Sequence, residues 1–207
     1  MNRILHELFP ETIIHLQSGN TWELLVAVIL SAQCTDKRVN LVTEKLFKKY
    51  RTIQAYAQAS QEEMEQAIFS TGFYRSKARY IRESAQIIIL NFNGEVPHTM
   101  ESLLTLRGVA RKTANVVLAN AFGIQEGIAV DTHVRRFAIR FDLSDFSDPK
   151  RIEQDLMQIM PSTEWWGFNH RLVEYGRMYC KARKHDCSMH PLTVLYPPVV
   201  SLWPKAH

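Results

Sequence analysis

The stretch from Leu106 to Arg136 constrains the fold most, because it specifies one helix, its two ends and the start of the next helix. A turn containing Gly108 leads directly into apolar residues that recur with the spacing of one helix face. Gly123 then predicts the end of this helix. Asp131 or Thr132 can cap the helix that follows. The periodic residues are Ala114, Val117, Leu118, Ala121 and Phe122.

Helical periodicity recurs along almost the whole chain. Residues 21–30 form a segment that is apolar nearly all round, residues 60–63 form a capping-box pattern, and residues 148–149 form an Asp-Pro helix start. Residues 168–179 predict the last long helix, and the tail from Pro191 is aperiodic. No sustained period-two alternation and no two-residue hairpin signal occurs. The sequence therefore predicts an all-α fold.

Composition is that of a globular protein and is compatible with a polyanionic partner, as it is with many other proteins. The 207 residues are 46% hydrophobic, which suffices for a core, and carry a formal net charge of +4. The three cysteines are unevenly spaced, which argues against a disulfide framework. The N-terminus lacks a signal-peptide pattern, and the longest apolar run, Leu24 to Leu30, is too short to span a membrane. We expect a soluble intracellular, cytoplasmic protein.

The turn before residue 111 has the features of an anion site with a nucleophile beside it. A turn entering a helix offers unpaired backbone N–H groups and the positive end of a helix dipole. Lys112 lies in that first turn beside Arg111, and both the dipole and the neighbouring charge favour its neutral amine, which is a nucleophile. Asp131 is the nearest candidate carboxylate. Each residue alone would more often be solvated or a cap, so it is their combination that indicates a site.

Several segments resemble one known family. Residues 111–118, RKTANVVL, followed by residues 130–133, VDTH, resemble the endonuclease III family of the helix-hairpin-helix DNA glycosylase superfamily. Adenine glycosylases of that superfamily lack the lysine. The resemblance runs from about Thr21 to Cys187. Further matching segments are Leu30–Asp36, Thr71–Ala78 and Asn93–Pro97.

The resemblance implies two helical lobes flanking a DNA cleft. One is a six-helix lobe over residues 14–125, which carries the helix-hairpin-helix motif. The other is a discontinuous lobe of residues 1–13 and 126–207, made from N- and C-terminal helices. Lys112 would lie on the first lobe and Asp131 at the mouth of the second.

The activity that the resemblance implies is base excision repair by a monomer acting on double-stranded DNA. Such an enzyme removes oxidised pyrimidines and cleaves abasic sites by β-elimination through a lysine Schiff base. Lys112 would attack C1′ of the damaged nucleotide. Asp131 would either deprotonate the lysine or stabilise positive charge at C1′, and the sequence leaves both roles open.

The resemblance also implies residues that contact DNA. Gln33 and Phe73 would fill the base stack that the extruded nucleotide vacates. His133 could meet the DNA backbone, or equally be a solvated or capping residue. The family pattern has Pro at position 107, Gly at position 110 and, more often, Leu at position 73. The phosphate anchors would be Lys77, Arg107, Gly108, Ala110 and Arg111.

The C-terminal cysteines depart from the family pattern. The family usually ends in C-x6-C-x2-C-x5-C, whose thiolates hold a [4Fe–4S] cluster. Cys180 and Cys187 keep the first spacing, but His190 and Tyr196 stand at the third and fourth positions. We therefore do not expect the cluster, because such clusters select soft thiolate ligands.

Two interpretations of this C-terminal loop follow from the sequence. The favoured one is a loop without metal or other cofactor, held by the apolar side chains at the end of the chain. The alternative is a zinc site made by Cys180, Cys187 and His190, with or without His185. The apolar side chains in question are Leu192, Leu195, Tyr196 and Trp203.

Two other functions remain open at this point. One is a monofunctional glycosylase of the same superfamily, in which water replaces Lys112 as the nucleophile. The other is a non-catalytic DNA-binding protein built on the same hairpin. The presence of both Lys112 and Asp131 speaks against the first, and Gln33 and Phe73 would be superfluous in the second.

Overall fold

The computed structural model describes residues 1–12 and 14–203. The chain forms two compact units. The continuous unit is the segment Ile14–Ile124. The discontinuous unit combines the chain before that segment with the chain from Gln125 onward.

The described residues form helices joined by short loops, and no strand occurs in residues 1–12 and 14–203. The all-α prediction is therefore confirmed for this part of the chain. Short 3₁₀ turns lie at Phe69–Thr71, Ser162–Glu164 and Pro197–Val200. In chain order the helices are α1 (Asn2–Leu8), α2 (Thr21–Ser31), α3 (Asp36–Lys49), α4 (Ile53–Gln58), α5 (Gln61–Ile68), α6 (Tyr74–Asn91), α7 (Met100–Leu104), α8 (Arg111–Phe122), α9 (Thr132–Arg140), α10 (Pro149–Ile159), α11 (Trp165–Met178) and α12 (Pro191–Leu195).

Side-chain caps start several helices where the sequence predicts them. Ser60 and Glu63 form a complete capping box at α5. Asp148 caps α10 with proline at the next position. At α2 the cap is Asn20, whose side chain accepts a backbone hydrogen bond of 2.9 Å, although Thr21 beside it is also a capping residue type. Asparagine is among the preferred capping residues, so the chain uses the better of two adjacent candidates.

Two short helices are absent from the sequence prediction. The helix α4 has six residues, which is too short to establish a periodic apolar stripe, although Thr52 caps it. The helix α12 lies in the tail that reads as aperiodic, and it begins at Pro191. Proline fits the first helical position, since no intrahelical partner is needed for the missing N–H.

The core of the continuous unit is built around α2. Every residue of α2 from Leu24 to Leu30 is buried, as its apolar sequence predicts. This helix packs against α3, α6 and α8, while α6 also packs against α4 and α5. The helix that begins the candidate site, α8, is therefore fixed through the most buried helix of its unit.

The core of the discontinuous unit lies where α9 packs against α11. Phe137 of α9 and Tyr175 of α11 are fully buried and meet edge to face, with 5.5 Å between ring centroids. The helix α1 packs against α11 and buries Leu5 completely. Residues from both ends of the chain thus share one core.

Within the described residues, no helix has both the length and the apolar content that crossing a membrane requires. The most apolar helix, α2, has only 11 residues. A transmembrane helix needs about 20.

Candidate active site

The turn between α7 and α8 presents its backbone at the surface of the continuous unit. Leu106 and Val109 are buried, and Gly108 between them is exposed. Gly108 has a φ of +74°, and a Cβ added to it would lie 2.6 Å from the Tyr80 ring. Only glycine allows this φ together with so close an approach. The buried residues anchor the turn, while Gly108 shapes its exposed apex.

No side chain among residues 1–12 and 14–203 caps the N-terminus of α8. Ala110 precedes the first helical residue with a φ of −92° and a ψ of 169°, and its methyl group accepts no hydrogen bond. This extended conformation is available to any residue, so the alanine in place of the family's glycine imposes no positive φ. The first N–H groups of α8 therefore keep the arrangement that suits a phosphate oxygen.

Arg107 connects the turn to α6. The Ser84 hydroxyl donates a hydrogen bond of 3.0 Å to the Arg107 carbonyl oxygen. The Arg107 guanidinium lies 3.6 Å from a Glu83 carboxylate oxygen in an exposed pair. Such a pair contributes no more than about 1 kcal/mol, so this guanidinium can exchange the carboxylate for a phosphate at little cost.

Lys112 lies in the first turn of α8, and its side chain is exposed. Arg111, beside it, is half-buried. The opposite face of the helix buries Ala114 and Val117 completely. The backbone of Lys112 is therefore held by a packed helix, while its amine extends into solvent next to the uncapped turn.

Gln33 and Phe73 share a conformation that non-glycine residues rarely adopt. Their φ angles are +53° and +48°. Their segments are adjacent, because a Cβ added to Gly72 would lie 3.7 Å from the Gln33 carbonyl oxygen. The Phe73 side chain is 72% exposed, so burial does not offset a backbone strain of about 1–3 kcal/mol. Strain without a packing reason marks this pair as a functional candidate.

The structure contradicts the prediction that Lys77 anchors a phosphate. Lys77 is only 3% exposed, and its ammonium donates hydrogen bonds of 2.8 Å to the Leu30 carbonyl and 2.7 Å to the Thr71 carbonyl. Burial also lowers the pKa of Lys77. The ammonium faces the interior of the unit and cannot reach DNA without leaving both carbonyls.

The sequence contains a signal for this buried position. Lys77 lies four residues before Ile81, and therefore on the apolar stripe of α6. A lysine on such a stripe must find partners inside the protein. Here the partners are two carbonyls that precede Gln33 and Phe73 along the chain.

Asp131 caps α9 in the discontinuous unit. Its Oδ1 accepts hydrogen bonds from the backbone N–H groups of His133, at 2.8 Å, and Val134, at 2.9 Å. These bonds fix the orientation of a half-buried carboxylate, and Oδ2 takes no part in the cap. The two catalytic candidates, Lys112 and Asp131, thus belong to different units, and each stands at a helix start.

His133 follows Asp131 with a half-buried ring. Its Nδ1 is buried and has no hydrogen-bond partner in the part of the chain that the structure describes, and the ring faces Gly176, where any added Cβ would collide with it. Burial lowers the pKa of His133 and outweighs the opposing effect of Asp131. A lowered pKa favours the neutral imidazole, in which one ring nitrogen donates a hydrogen bond and the other accepts one.

Arg140 of α9 organises the C-terminal segment of the discontinuous unit. This arginine is fully buried. Its guanidinium donates to Cys180 Sγ at 2.8 Å and to Cys187 Sγ at 3.2 Å. It also donates to the carbonyls of Val199 and Leu202, both at 2.8 Å. One planar cation therefore holds both cysteines and the end of the described chain together.

Arg140 is absent from the sequence prediction, but part of the packing around it was predicted. Leu192 is fully buried, and Tyr196 and Trp203 pack against the core, as predicted. Leu195 is 52% exposed, so its predicted packing role is wrong. Arg140 lies three residues after Phe137 and hence on the apolar face of α9, which is the available signal for a buried guanidinium.

Comparison with known proteins adds independent evidence. The model of the HhH-GPD superfamily of base excision DNA repair proteins matches residues 26–162. Endonuclease III of Synechocystis sp. is 50% identical over 194 residues, which cover 94% of this chain and 89% of that protein. Endonuclease III of Bacillus subtilis is 44% identical over 190 residues, which cover 91% and 86%.

Solved structures agree with these relatives. A non-covalent endonuclease III–DNA complex matches with a TM-score of 0.91 at 44% identity, covering 97% of this chain and 94% of that one. A trapped endonuclease III–DNA covalent intermediate matches with a TM-score of 0.89 at 45% identity, covering 94% and 91%. From its sequence, its fold and these matches together, the chain belongs to the HhH-GPD superfamily and, within it, to the endonuclease III family.

Proposed function

We propose that this chain removes oxidised pyrimidines from duplex DNA and then cleaves the strand at the resulting abasic site. The observation that carries the proposal is the exposed amine of Lys112 in the first turn of a helix whose N-terminus is uncapped. A phosphate at that N-terminus would bring the sugar of the same strand towards the amine.

DNA binding would begin with the phosphates. The exposed turn offers backbone N–H groups at Gly108 and Ala110, together with the charges of Arg107 and Arg111, and such contacts position a duplex without reading its sequence. Because the glycosidic bond is shielded in the duplex, the damaged nucleotide must leave the stack.

The vacated stack would be filled by Gln33 and Phe73. An exposed phenyl ring is the kind of apolar wedge that separates base steps, and the neighbouring amide can hydrogen-bond to an unpaired base. Both are exposed on adjacent strained segments of the continuous unit. A need for the two side chains to project into DNA would explain why both residues keep a strained backbone conformation.

The chemistry then starts from the side-chain amine of Lys112. The Lys112 nitrogen bonds to C1′ while the bond from C1′ to the base breaks, and the base leaves with the electron pair and a proton. The amine adduct opens to a Schiff base, which acidifies C2′. Loss of a C2′ proton breaks the bond from C3′ to oxygen and cuts the strand on the 3′ side, and water releases the enzyme.

Asp131 would assist at C1′. Its carboxylate can take a proton from Lys112 or stabilise the positive charge that develops on the sugar. The backbone bonds to Oδ1 keep the side chain oriented for either role. His133 would contact the DNA backbone nearby.

The reaction as proposed needs no metal or other cofactor. The C-terminal residues do not fit the [4Fe–4S] cluster of the family, which requires four thiolates. Only Cys180 and Cys187 supply sulfur, both sulfurs accept from the buried Arg140, and Tyr196 at the fourth position points its hydroxyl towards Asp142 at 3.4 Å. We propose that the protein acts as a monomer. We also propose that it acts in the cytoplasm, on the cell's DNA.

Borohydride trapping on duplex DNA with one abasic site tests the proposal. Reduction of the Schiff base should yield a covalent protein–DNA adduct, and Lys112→Gln should abolish it. Lys48→Gln is a matched control, because Lys48 is an exposed helical lysine that pairs with Glu44. Wild-type protein that releases thymine glycol without an adduct would be a monofunctional glycosylase. Protein that binds the duplex without either product would be a non-catalytic binding module.

A further inference from the structure

Three potential metal ligands meet in the C-terminal segment, outside the proposed reaction site. Cys180, His185 and His190 each offer one ligand atom, and these atoms all lie within 4.8 Å of one another. Cys180 is buried and the two histidines are half-buried. The two imidazole rings lie 5.2 Å apart between centroids. Three donors of these types at this separation can converge on a single ion.

The hydrogen bond of His185 leaves its other nitrogen suited to bind a metal. The Nδ1 of His185 lies 2.7 Å from the Arg183 carbonyl oxygen, which can only accept, so Nδ1 carries the hydrogen. The Nε2 then bears a lone pair, and it is buried without a hydrogen bond in the described structure. Metal-binding histidines commonly show this pattern of one N–H donated to a carbonyl and the other nitrogen facing the ion.

His190 presents a second nitrogen of the same kind. Its Nδ1 is buried and has no hydrogen-bond partner among the described residues. Leaving a buried polar atom without a hydrogen-bond partner is energetically unfavourable. One cation bound between these two nitrogens and the buried Cys180 sulfur would give both nitrogens a partner.

We infer that Cys180, His185 and His190 bind one zinc-class divalent ion, with water as the fourth ligand. One thiolate and two imidazoles are a ligand set that Zn²⁺ accepts in tetrahedral geometry. The site differs from the four-thiolate site of the family, since it uses His185 and leaves out Cys187. The Trp203 ring, edge-on to His185 at 5.3 Å between centroids, partly covers it.

Arg140 is compatible with this ion. Its N–H group already donates to Cys180 Sγ at 2.8 Å. Donation to a metal-bound sulfur stabilises the thiolate form, which is the form that binds the metal. Cys187 accepts from the other end of the same guanidinium and would serve the loop without contacting the ion.

Metal analysis of the full chain tests the inference. The protein is purified without a histidine tag, exchanged into metal-free buffer after supply with Zn²⁺, and analysed for zinc and iron. We expect about one zinc per chain and no stoichiometric iron. Cys180→Ser and His185→Ala should each lower zinc to a small fraction of that value. Cys34→Ser and Cys187→Ser should retain it, since neither sulfur belongs to the ligand set.

Cobalt substitution of the unmutated chain covers the case in which a ligand variant does not fold. Co²⁺ should give the intense visible bands of a tetrahedral site together with a sulfur-to-metal band in the near ultraviolet. Zinc-free protein that also shows no cobalt bands would overturn the inference. So would an iron–sulfur spectrum, or equal loss of zinc in Cys187→Ser and Cys180→Ser. Because the measurement reads metal and not activity, a failed trapping experiment would leave it unaffected.

Discussion

Lys77 Nζ donates a hydrogen bond of 2.8 Å to the carbonyl oxygen of Leu30 and so ties α6 to the end of α2. The same ammonium donates to the Thr71 carbonyl at 2.7 Å. Leu30 lies three residues before Gln33, and Thr71 lies two residues before Phe73. One buried cation therefore braces both of the segments proposed to enter the DNA.

Replacing Lys77 with methionine should weaken the fold without removing a DNA contact. The change leaves two buried carbonyls without a donor, at about 1–3 kcal/mol each, partly offset by the charge that no longer has to be buried. The salt dependence of duplex binding should stay unchanged, since it counts phosphate contacts. Denaturant unfolding and binding titrations over a range of salt concentrations measure the two effects.

Arg107→Gln is the comparison variant for Lys77→Met. The Arg107 guanidinium is exposed beside the phosphate-binding turn. Its loss should make the plot of log binding constant against log salt concentration less steep by about 0.9, with little change in stability. Lys77→Met could instead reduce the steepness of the salt dependence by the same amount and leave the protein as stable as wild type. Lys77 would then contact a phosphate, and it would not support the segments of Gln33 and Phe73.

Phe73→Gly should lower the glycosylase activity on duplex DNA while leaving the stability of the protein nearly unchanged. Glycine relieves the φ of +48° and gives up almost no burial, so the free energy of unfolding should change by no more than about 1 kcal/mol. Release of thymine glycol from duplex DNA should fall at least about tenfold, a cost of 1.4 kcal/mol in transition-state energy, because the stack is no longer filled. Cleavage of abasic sites in single-stranded DNA should persist.

Asn93→Gly serves as the control for this experiment. Asn93 has a similar φ of +55° and is exposed at the end of α6, with no proposed role in the reaction. Its replacement should leave the duplex activity intact. Equal losses in both variants would mean that relaxing a strained turn, and not removing the phenyl ring, is responsible.

Gly108→Ala should damage the phosphate-binding turn more than Gly123→Ala damages the end of α8. Both glycines have a positive φ, of +74° and +67°, so both substitutions carry the left-handed cost of about 1–2 kcal/mol. Only at position 108 would the new Cβ meet another side chain, with Tyr80 atoms 2.6 to 2.9 Å away. Thermal unfolding and duplex affinity should both decline further for Gly108→Ala. Matching losses would show that the Tyr80 contact is unimportant.

The sequence predicts the helices well because their signals are local. The capping box at Ser60 and Glu63 and the glycine at 123 each act within a few residues, and the structure has them as expected. The missed helix α4 has too few residues for a periodic pattern. Local signals therefore recover the long helices, whereas α4 and α12, with six and five residues, are missed.

The candidate site was only partly predictable, for a related reason. The exposed turn residues at 107, 108 and 110 lie in one contiguous motif, which the sequence displays. The partners of Lys77 and Arg140 are carbonyls and sulfurs 6 to 62 residues away, and only the packed chain brings them together. The apolar helix faces that carry Lys77 and Arg140 signal that both cations are buried, but the sequence does not identify their distant partners.

Glu164 should make the discontinuous unit sensitive to acid. Its carboxylate Oε2 lies 2.6 Å from His6 Nε2, and the pKa of Glu164 is lowered chiefly by this bond and further by hydrogen bonding from Asn2. A carboxyl group with a lowered folded-state pKa contributes stability above its unfolded value of about 4.3, and this contribution is lost as pH falls through the folded pKa. Glu164→Gln should therefore reduce stability at pH 7 more than at pH 3. Unfolding curves across this range measure the difference, and Glu7→Gln, at an exposed pair with Arg3, should show a much smaller one. A constant deficit for Glu164→Gln at every pH would mean that packing, and not ionisation, explains the loss.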